Sequence, residues 1–431
     1  MKFLIGPMQK HLEGHKELTA HNGVLKVEPQ AEVYIPLLQG NAKIDVLVSE
    51  GDEVKIGTKI AERNDHFYVP FFAPISGKVK GIVKRMGSNL RPTDHLVIEN
   101  DFKDEVLEGL STLNCDASKE EIVNFMKEKG LVGCGGAGFP TYVKYQTDQC
   151  ETLIINAVEC EPYITADAYN LEQNQAMFKL GVKTMFKASG AKVCYIGIKR
   201  TKKELIEILK ETFKGETGIE VKPVPDVYPM GWERTLLFTL TNKNYDRLPI
   251  EVGCIVSNAT TAIKLGEAMT FGTPIVSKIV TVSGDAVKEP HNVICPVGTP
   301  FSELVKLSGG YTKDEVSLLA GGPMMGNAII KEEVCVGPAT NAVTVLEYKK
   351  VEPLKCLRCG LCVEHCPSAL QPVNINNAFK AKDFDRLAKL HTLDCIECGM
   401  CSYVCPSHID VTEGVRQAKR MMGLRAKNGG K

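Results

Sequence analysis

Neither sign of charge prevails in this chain: of its 431 residues, 52 are Lys or Arg and 52 are Asp or Glu. A protein that grips nucleic acid needs a basic stripe to displace counterions, so no nucleic-acid partner is expected. No apolar run approaches the roughly eighteen residues that cross a bilayer, and no transmembrane segment is expected. The apolar patch from Phe3 to Pro7 is followed at once by Gln9, Lys10, His11 and Glu13, too brief for a signal-peptide core. The expectation is a cytoplasmic chain with reduced thiols, free or peripheral on the inner face of the cell membrane. No acid–base triad emerges either, so any chemistry must come from bound groups.

Cysteine is abundant, and concentrated. Of sixteen cysteines, eight fall in two copies of one pattern. The first copy holds Cys356, Cys359, Cys362 and Cys366 before Pro367, and the second Cys395, Cys398, Cys401 and Cys405 before Pro406. This C-x₂-C-x₂-C-x₃-C-P spacing is that of 4Fe–4S cubanes, in which three close thiolates wrap one cube and the fourth reaches the other. One cube would be held by Cys356, Cys359, Cys362 and Cys405, the other by Cys395, Cys398, Cys401 and Cys366. Structural zinc is the competing reading, although zinc sites usually separate two short cysteine pairs on different knuckles. A disulfide framework suits neither the length nor the metal-type spacing.

Upstream, residues 30–100 read as short strands broken by turns. The strings SEGDEVKIGTKIAE and APISGKVKGI resemble the barrel-sandwich fold of biotinyl and lipoyl domains. The segment linking them, Arg63 to Pro70, has no lysine, so a scaffold without a swinging arm is expected. Ser118 and Glu121 form a capping box for a helix with Ile122, Phe125 and Met126 on one face, ended by Gly130. Then comes a loop with Gly133, Gly135, Gly136 and Gly138, where backbone N–H groups can approach a phosphate or flat ring. It follows a helix, whereas the dinucleotide-binding fingerprint follows a strand.

The run Thr152 to Ala157 delivers Asn156, Glu159 and Glu161 at a strand end, where ligands of α/β folds gather. Beyond it the pattern predicts a helix near 170–188, a strand from Lys192 to Ile198, a helix capped by Thr201, and a strand near 219–224. Residues 275–330 return to β structure, 340–354 form a connector, and one helix carries Ile375, Phe379, Leu387 and Leu390. The tail is basic (Arg416, Lys419, Arg420, Arg425, Lys427, Lys431), either solvated or docking on an acidic or lipid surface.

GCGGAGFPTYVK, NAVECEP and the two cysteine runs together resemble the RnfC family of ferredoxin:NAD oxidoreductase complexes. The first two strings also resemble the flavin- and NADH-binding subunit of respiratory complex I. The resemblance implies a multidomain α/β chain: a barrel-sandwich module (1–110), a complex-I-like flavin/NADH α/β domain (111–272), a β-grasp SLBB domain (273–345) and an α-helical two-cluster ferredoxin domain (346–431). It implies FMN packed on Gly133, Gly135, Gly136 and Gly138, contacted by Asn156, with its phosphate near Lys144, Asn258 and Thr261. It also implies NAD(H) near Phe139, Glu161 and Glu233. The expected activity is that of an NADH-linked oxidoreductase or electron-transfer subunit, working through FMN and two 4Fe–4S clusters to a redox partner protein or membrane electron-transport subunits.

Four departures stand out. FLIGPMQKH replaces the family's usual start, Trp232 replaces a small residue, and Cys134 stands where complex I has arginine. The long lysine- and alanine-rich extension of many relatives is absent. The layout also resembles the PrdC electron-transfer protein of D-proline reductase systems, which implies the alternative of a soluble relay with a redox-active Cys134 loop. Cys134 has two readings: a small packing residue, or a thiol activated by backbone dipoles. Glu161 and Cys134 are the candidate catalytic groups.

Overall fold

The computed structural model describes residues 10–427, so the Phe3–Pro7 patch and Lys431 of the basic tail lie outside the described residues. The first module is two facing antiparallel sheets. One orders Glu32–Pro36, Pro92–Asn100, Gly77–Met86 and Glu53–Val54; the other orders Asp45–Val46, Lys59–Asn64 and Tyr68–Phe72. Period-two alternation turns Val33 and Ile35 inward to pack with Ile60, Val79, Leu96 and Ile98. At the hairpin tip, Phe67 meets Phe139 edge-on, with ring centroids 5.4 Å apart. Gln39 Nε2 donates to the Gly138 carbonyl at 2.6 Å. The module therefore braces the glycine-rich loop.

The capping box at Ser118 forms as expected and opens the helix Lys119–Glu128. After the loop, four parallel strands stand in the order Ile219–Val224, Val193–Lys199, Thr152–Asn156, Cys254–Asn258. Counted along the chain this is 3-2-1-4, so connections leave in opposite directions from the two adjacent strands Thr152–Asn156 and Cys254–Asn258. A crevice opens beyond the carboxyl ends of strands at such a point.

Helices Gln175–Ser189 and Ala259–Phe271 cover this sheet and touch backbone to backbone. A Cβ on Gly181 would stand 1.8 Å from the Ala262 carbonyl oxygen, and one on Gly266 would stand 2.1 Å from that of Met177. Backbone cannot yield as a side chain can, so Gly181→Ala is expected to lower stability by about 3 kcal/mol. The check is a lower denaturant midpoint at unchanged slope.

The structure corrects four sequence expectations. The helix near 170–188 is two, Ala166–Gln173 and Gln175–Ser189. They break at Asn174, whose side chain bonds Asn170 Oδ1 at 2.7 Å; asparagine favours such local bonds over helix continuation. Thr201 is not a cap: the helix starts at Lys203, and the Thr201 hydroxyl donates to Asp226 at 3.0 Å. The connector at 340–354 contains the strand Ala342–Glu347, whose first four residues are buried. Burial on both faces leaves no alternation to read. Finally, the helix between the cysteine runs is two, Pro372–Lys380 and Phe384–Lys389, separated by a turn in which Lys382 has φ 54°.

Ala342–Glu347 lies inside a six-stranded sheet ordered Val24–Lys26, His291–Pro296, Ser277–Ser283, Ala342–Glu347, Val316–Ala320, Asn327–Ile329. The N-terminal strand Val24–Lys26 thus crosses to this sheet before the chain enters the barrel. In the C-terminal region, Ile375, Leu387, Val411 and Val415 form the core. The two cysteine runs repeat one backbone. Arg358 and Glu397 have φ 55° and 56°, Gly360 and Gly399 83° and 77°, and Ala369 and His408 52° each.

Candidate functional site

The crevice at the strand ends widens into a cavity of about 740 Å³. Its wall includes Gly133, Gly135, Gly136, Gly138, Phe139, Lys144, Asn156, Glu161, Glu233, Asn258 and Thr261, so residues up to 128 positions apart in sequence share one surface. The glycine loop lies flush on the next element. A Cβ on Gly135 would stand 2.4 Å from Asn258 Nδ2, whereas one on Gly136 would meet nothing within 4 Å. Asn258 caps the helix Ala259–Phe271 by accepting from Thr261 N at 3.2 Å, and its Nδ2 donates to Asp167 at 3.0 Å. Asp167 also accepts from the Thr260 hydroxyl at 2.6 Å.

Cys134 does not line this cavity. It is 0% exposed, its thiol points at the Val132 carbonyl at 3.5 Å, and it packs in the domain's main hydrophobic core. Its backbone N–H donates to Thr261 Oγ1 at 3.0 Å, which pins the loop to the capped helix. The redox-active thiol expected at this position is therefore turned away from the crevice, because alternate residues of an extended loop point to opposite sides.

The opposite wall is acidic. Glu159 is buried against Lys16, 3.5 Å away, and accepts from Asp167 N at 2.8 Å. Burial pushes the Glu159 carboxyl up and the Lys16 ammonium down, and each charge partly offsets this for the other. Lys16 also donates to the carbonyls of Glu161, at 3.0 Å, and Ile164. Glu161 accepts from Met324 N at 3.1 Å and Met325 N at 2.9 Å, so it ties the crevice to the loop after Val316–Ala320.

Burial raises the Glu161 carboxyl from 4.5 to about 7, against the opposing pull of those two N–H groups. A carboxyl whose folded pKa exceeds its unfolded one contributes stability that is full below about pH 4.5 and lost as pH rises through about 7. Glu161→Gln is therefore expected to remove a fall of about 3 kcal/mol across that window. Urea midpoints of both forms at pH 5 and pH 8 check it; parallel shifts would refute it.

At the far end, Lys144 Nζ donates to the Val256 carbonyl at 2.7 Å and stands 3.7 Å from Glu233, which accepts from the Tyr245 hydroxyl at 3.1 Å. Asn156 Nδ2 donates to the Gly231 carbonyl at 2.8 Å, and its Oδ1 accepts from Val158 N at 3.1 Å. A flat ring fits between the bare glycine backbone and this polar wall, with a cation at one end for a phosphate.

A second, small cavity is lined by Cys366, Cys395, Cys398 and Cys401, which is the crossed ligand set expected from the spacing. Leu370 N donates to Cys366 Sγ and Glu397 N to Cys395 Sγ, each at 3.3 Å; Arg358 N donates to Cys356 Sγ at 3.4 Å. Such bonds suit thiolates carrying cluster charge. Among the described residues no three His, Cys, Asp or Glu side chains converge on the point that one metal ion would need. These thiols instead stand apart around a space, as a cube requires.

Ile396 lines both cavities, so a single side chain separates them. The Tyr228 hydroxyl donates to the Cys398 carbonyl at 2.8 Å, and a Cβ on Gly399 would stand 2.4 Å from the Met324 carbonyl oxygen. Lys16, Asp167, Tyr228 and Ile396 were not identified from sequence as site residues. Only Ile396, inside a cysteine run, carried a local signal.

Four family profiles match the chain in order: the RnfC barrel sandwich hybrid domain over 9–103, the Nuo51 FMN-binding domain over 126–267, the SLBB domain over 279–328, and the 4Fe-4S dicluster domain over 355–409. Among solved structures, an NAD⁺-reducing NiFe hydrogenase in its H₂-reduced state shares the fold, with a TM-score of 0.50 at 18% identity. The match covers 73% of this chain and 62% of that one, so this chain spans under two thirds of its length.

Fold and site together define an electron-transferring oxidoreductase subunit that uses FMN and two 4Fe–4S clusters. The RnfC subunit of the proton-translocating ferredoxin:NAD(+) oxidoreductase complex of Clostridium ljungdahlii is 33% identical, over 84% of this chain and 81% of that one. Its counterpart in the Na(+)-translocating complex of Acetobacterium woodii is 31% identical, over 80% of each. The counterpart in the ion-translocating oxidoreductase complex of Rhodobacter capsulatus is 34% identical, over 88% and 76%. The chain belongs to the RnfC family.

Proposed function

We propose that this chain exchanges electrons between NADH in the crevice and a redox partner protein at its cysteine-rich end. Bound FMN supplies the conversion between a two-electron hydride and single electrons that cubanes can carry. In this reading the chain's own residues hold and orient. Gly133, Gly135, Gly136 and Gly138 offer a surface without Cβ obstruction to the ring. Asn156 and the helix cap at Asn258 and Thr261 present polar atoms to it, and Lys144 balances a phosphate. Phe139, Glu161 and Glu233 line the remaining space for the nicotinamide nucleotide. Cys366, Cys395, Cys398 and Cys401 hold the cluster nearer the crevice, and Cys356, Cys359, Cys362 and Cys405 hold the outer one.

The carrying observation is Ile396, shared by the two cavities, because single-electron exchange needs donor and acceptor close together. Among the described residues no helix is long and apolar enough to cross a membrane. Association with a membrane complex, as the relatives' names describe, would therefore be through docking. The alternative of a relay acting through Cys134 draws no support from a thiol buried in the core.

The test uses anaerobically purified chain with both groups present. NADH should bleach the flavin band, and NAD⁺ added to dithionite-reduced protein should reoxidise the clusters and yield NADH. If neither nicotinamide form changes either chromophore, the reading is wrong.

A further inference from the structure

We propose that the exposed first cysteine run is the docking face for a one-electron carrier protein whose contact surface is acidic around an apolar centre. This rests on the electron-transfer reading above and states where electrons cross to the partner.

The two cysteine sets differ in access. Cys356 and Cys359 are exposed, whereas Cys366 and Cys398 are buried. Every residue from Tyr348 to Cys359 is exposed, and those from 351 onward form neither helix nor strand. Within this stretch Val351, Leu354 and Leu357 are 53%, 65% and 67% exposed. Aliphatic groups gathered in water at the rim of a redox centre mark a contact surface. Nor is the segment loose. Leu354 N donates to the Ser407 carbonyl at 2.9 Å, and the Ser407 hydroxyl donates to the Lys355 carbonyl at 3.0 Å. Both bonds hold it beside Cys405, the last cysteine of the second run.

Charge selects the occupant. In a chain with equal numbers of acidic and basic residues, Lys349, Lys350, Lys355 and Arg358 flank these aliphatic groups, against Glu352 and Glu364. Lys349 is matched by Glu347 at 3.2 Å. Near the buried set the balance differs, because Glu397 is held by both Arg416 and Lys419 at 3.1 Å. A second copy of this chain would bring basic rim to basic rim about a two-fold axis, which repels. A lipid surface could take the charge and the aliphatic groups, but it cannot take electrons. An acidic carrier satisfies all three features. Opposite charges would speed its encounter, while a small apolar centre would let it leave, as transient redox contacts require.

The test uses the full chain with FMN and both clusters, and an acidic two-cluster bacterial ferredoxin as probe. Two reduced one-electron centres, NAD⁺ and one proton give NADH and two oxidised centres. Binding is measured directly by equilibrium titration, and turnover by NADH formation. The double reversal K350E/K355E, and separately Leu354→Asp, should each weaken ferredoxin binding roughly ten-fold and raise its KM alike. The double reversal should also flatten the salt dependence seen in the unmodified chain. Iron content and NADH-driven ferricyanide reduction should not move.

Unchanged ferredoxin affinity in these variants overturns the proposal. So does a loss confined to phosphatidylglycerol-vesicle binding or to self-association, with ferredoxin affinity intact. Absence of NADH–ferricyanide activity in the unmodified chain would instead sink the electron-transfer reading, so the two failures are distinct.

Discussion

Cys366→Ala is expected to remove the cluster nearer the crevice, although Cys366 belongs to the first cysteine run. Its side chain lines the small cavity with Cys395, Cys398 and Cys401, and it is buried where Cys356 and Cys359 are exposed. Loss of that ligand should lower iron from about eight to about four atoms per chain. Electron exchange between nicotinamide and a protein acceptor should fall to background, because the remaining cluster is the outer one. Flavin bleaching by NADH should survive, since no crevice residue is touched. Cys405→Ala makes the matched control: it should remove the outer cluster and leave the inner one reducible. Iron analysis with electron paramagnetic resonance of the reduced protein decides between them. If Cys366→Ala disturbs the outer signal and spares the inner, the ligand sets are not crossed.

FMN affinity should fall by about 100-fold in Gly135→Ala. The added methyl would stand 2.4 Å from Asn258 Nδ2. Asn258 cannot step aside cheaply, because it caps its helix through Thr261 and holds Asp167 at 3.0 Å. Either the loop lifts or the cap breaks, and overpacking of this kind costs about 3 kcal/mol. Gly136→Ala has open space at the same point and should be milder in the empty protein. Flavin titration by fluorescence quenching measures both. Equal losses in the two variants would show that contact with the ring, not the cap, governs the site.

The cysteine runs were legible in the sequence because a cubane fixes ligand spacing within a few residues, and the Ser118 capping box because it is satisfied within one turn. The glycine loop, Asn156 and Asn258 were legible through resemblance, and all line one cavity. The strand Ala342–Glu347 was hidden because burial on both faces erases the alternation that marks a strand. The orientation of Cys134 was hidden for a related reason: its neighbours Gly133 and Gly135 face the crevice, while its own thiol joins the core behind them.

Chain order and local chemistry by themselves determined the succession of modules, the metal-binding thiols and the phosphate-tolerant loop, since each depends on residues within one turn or one loop. Only the folded arrangement decided that Lys16 neutralises Glu159, that Glu161 fastens the backbone at Met324 and Met325, and that Ile396 alone parts the two cavities. Those pairings join segments far apart along the chain. Packing of whole modules sets them, and no short window of sequence records which module will meet which.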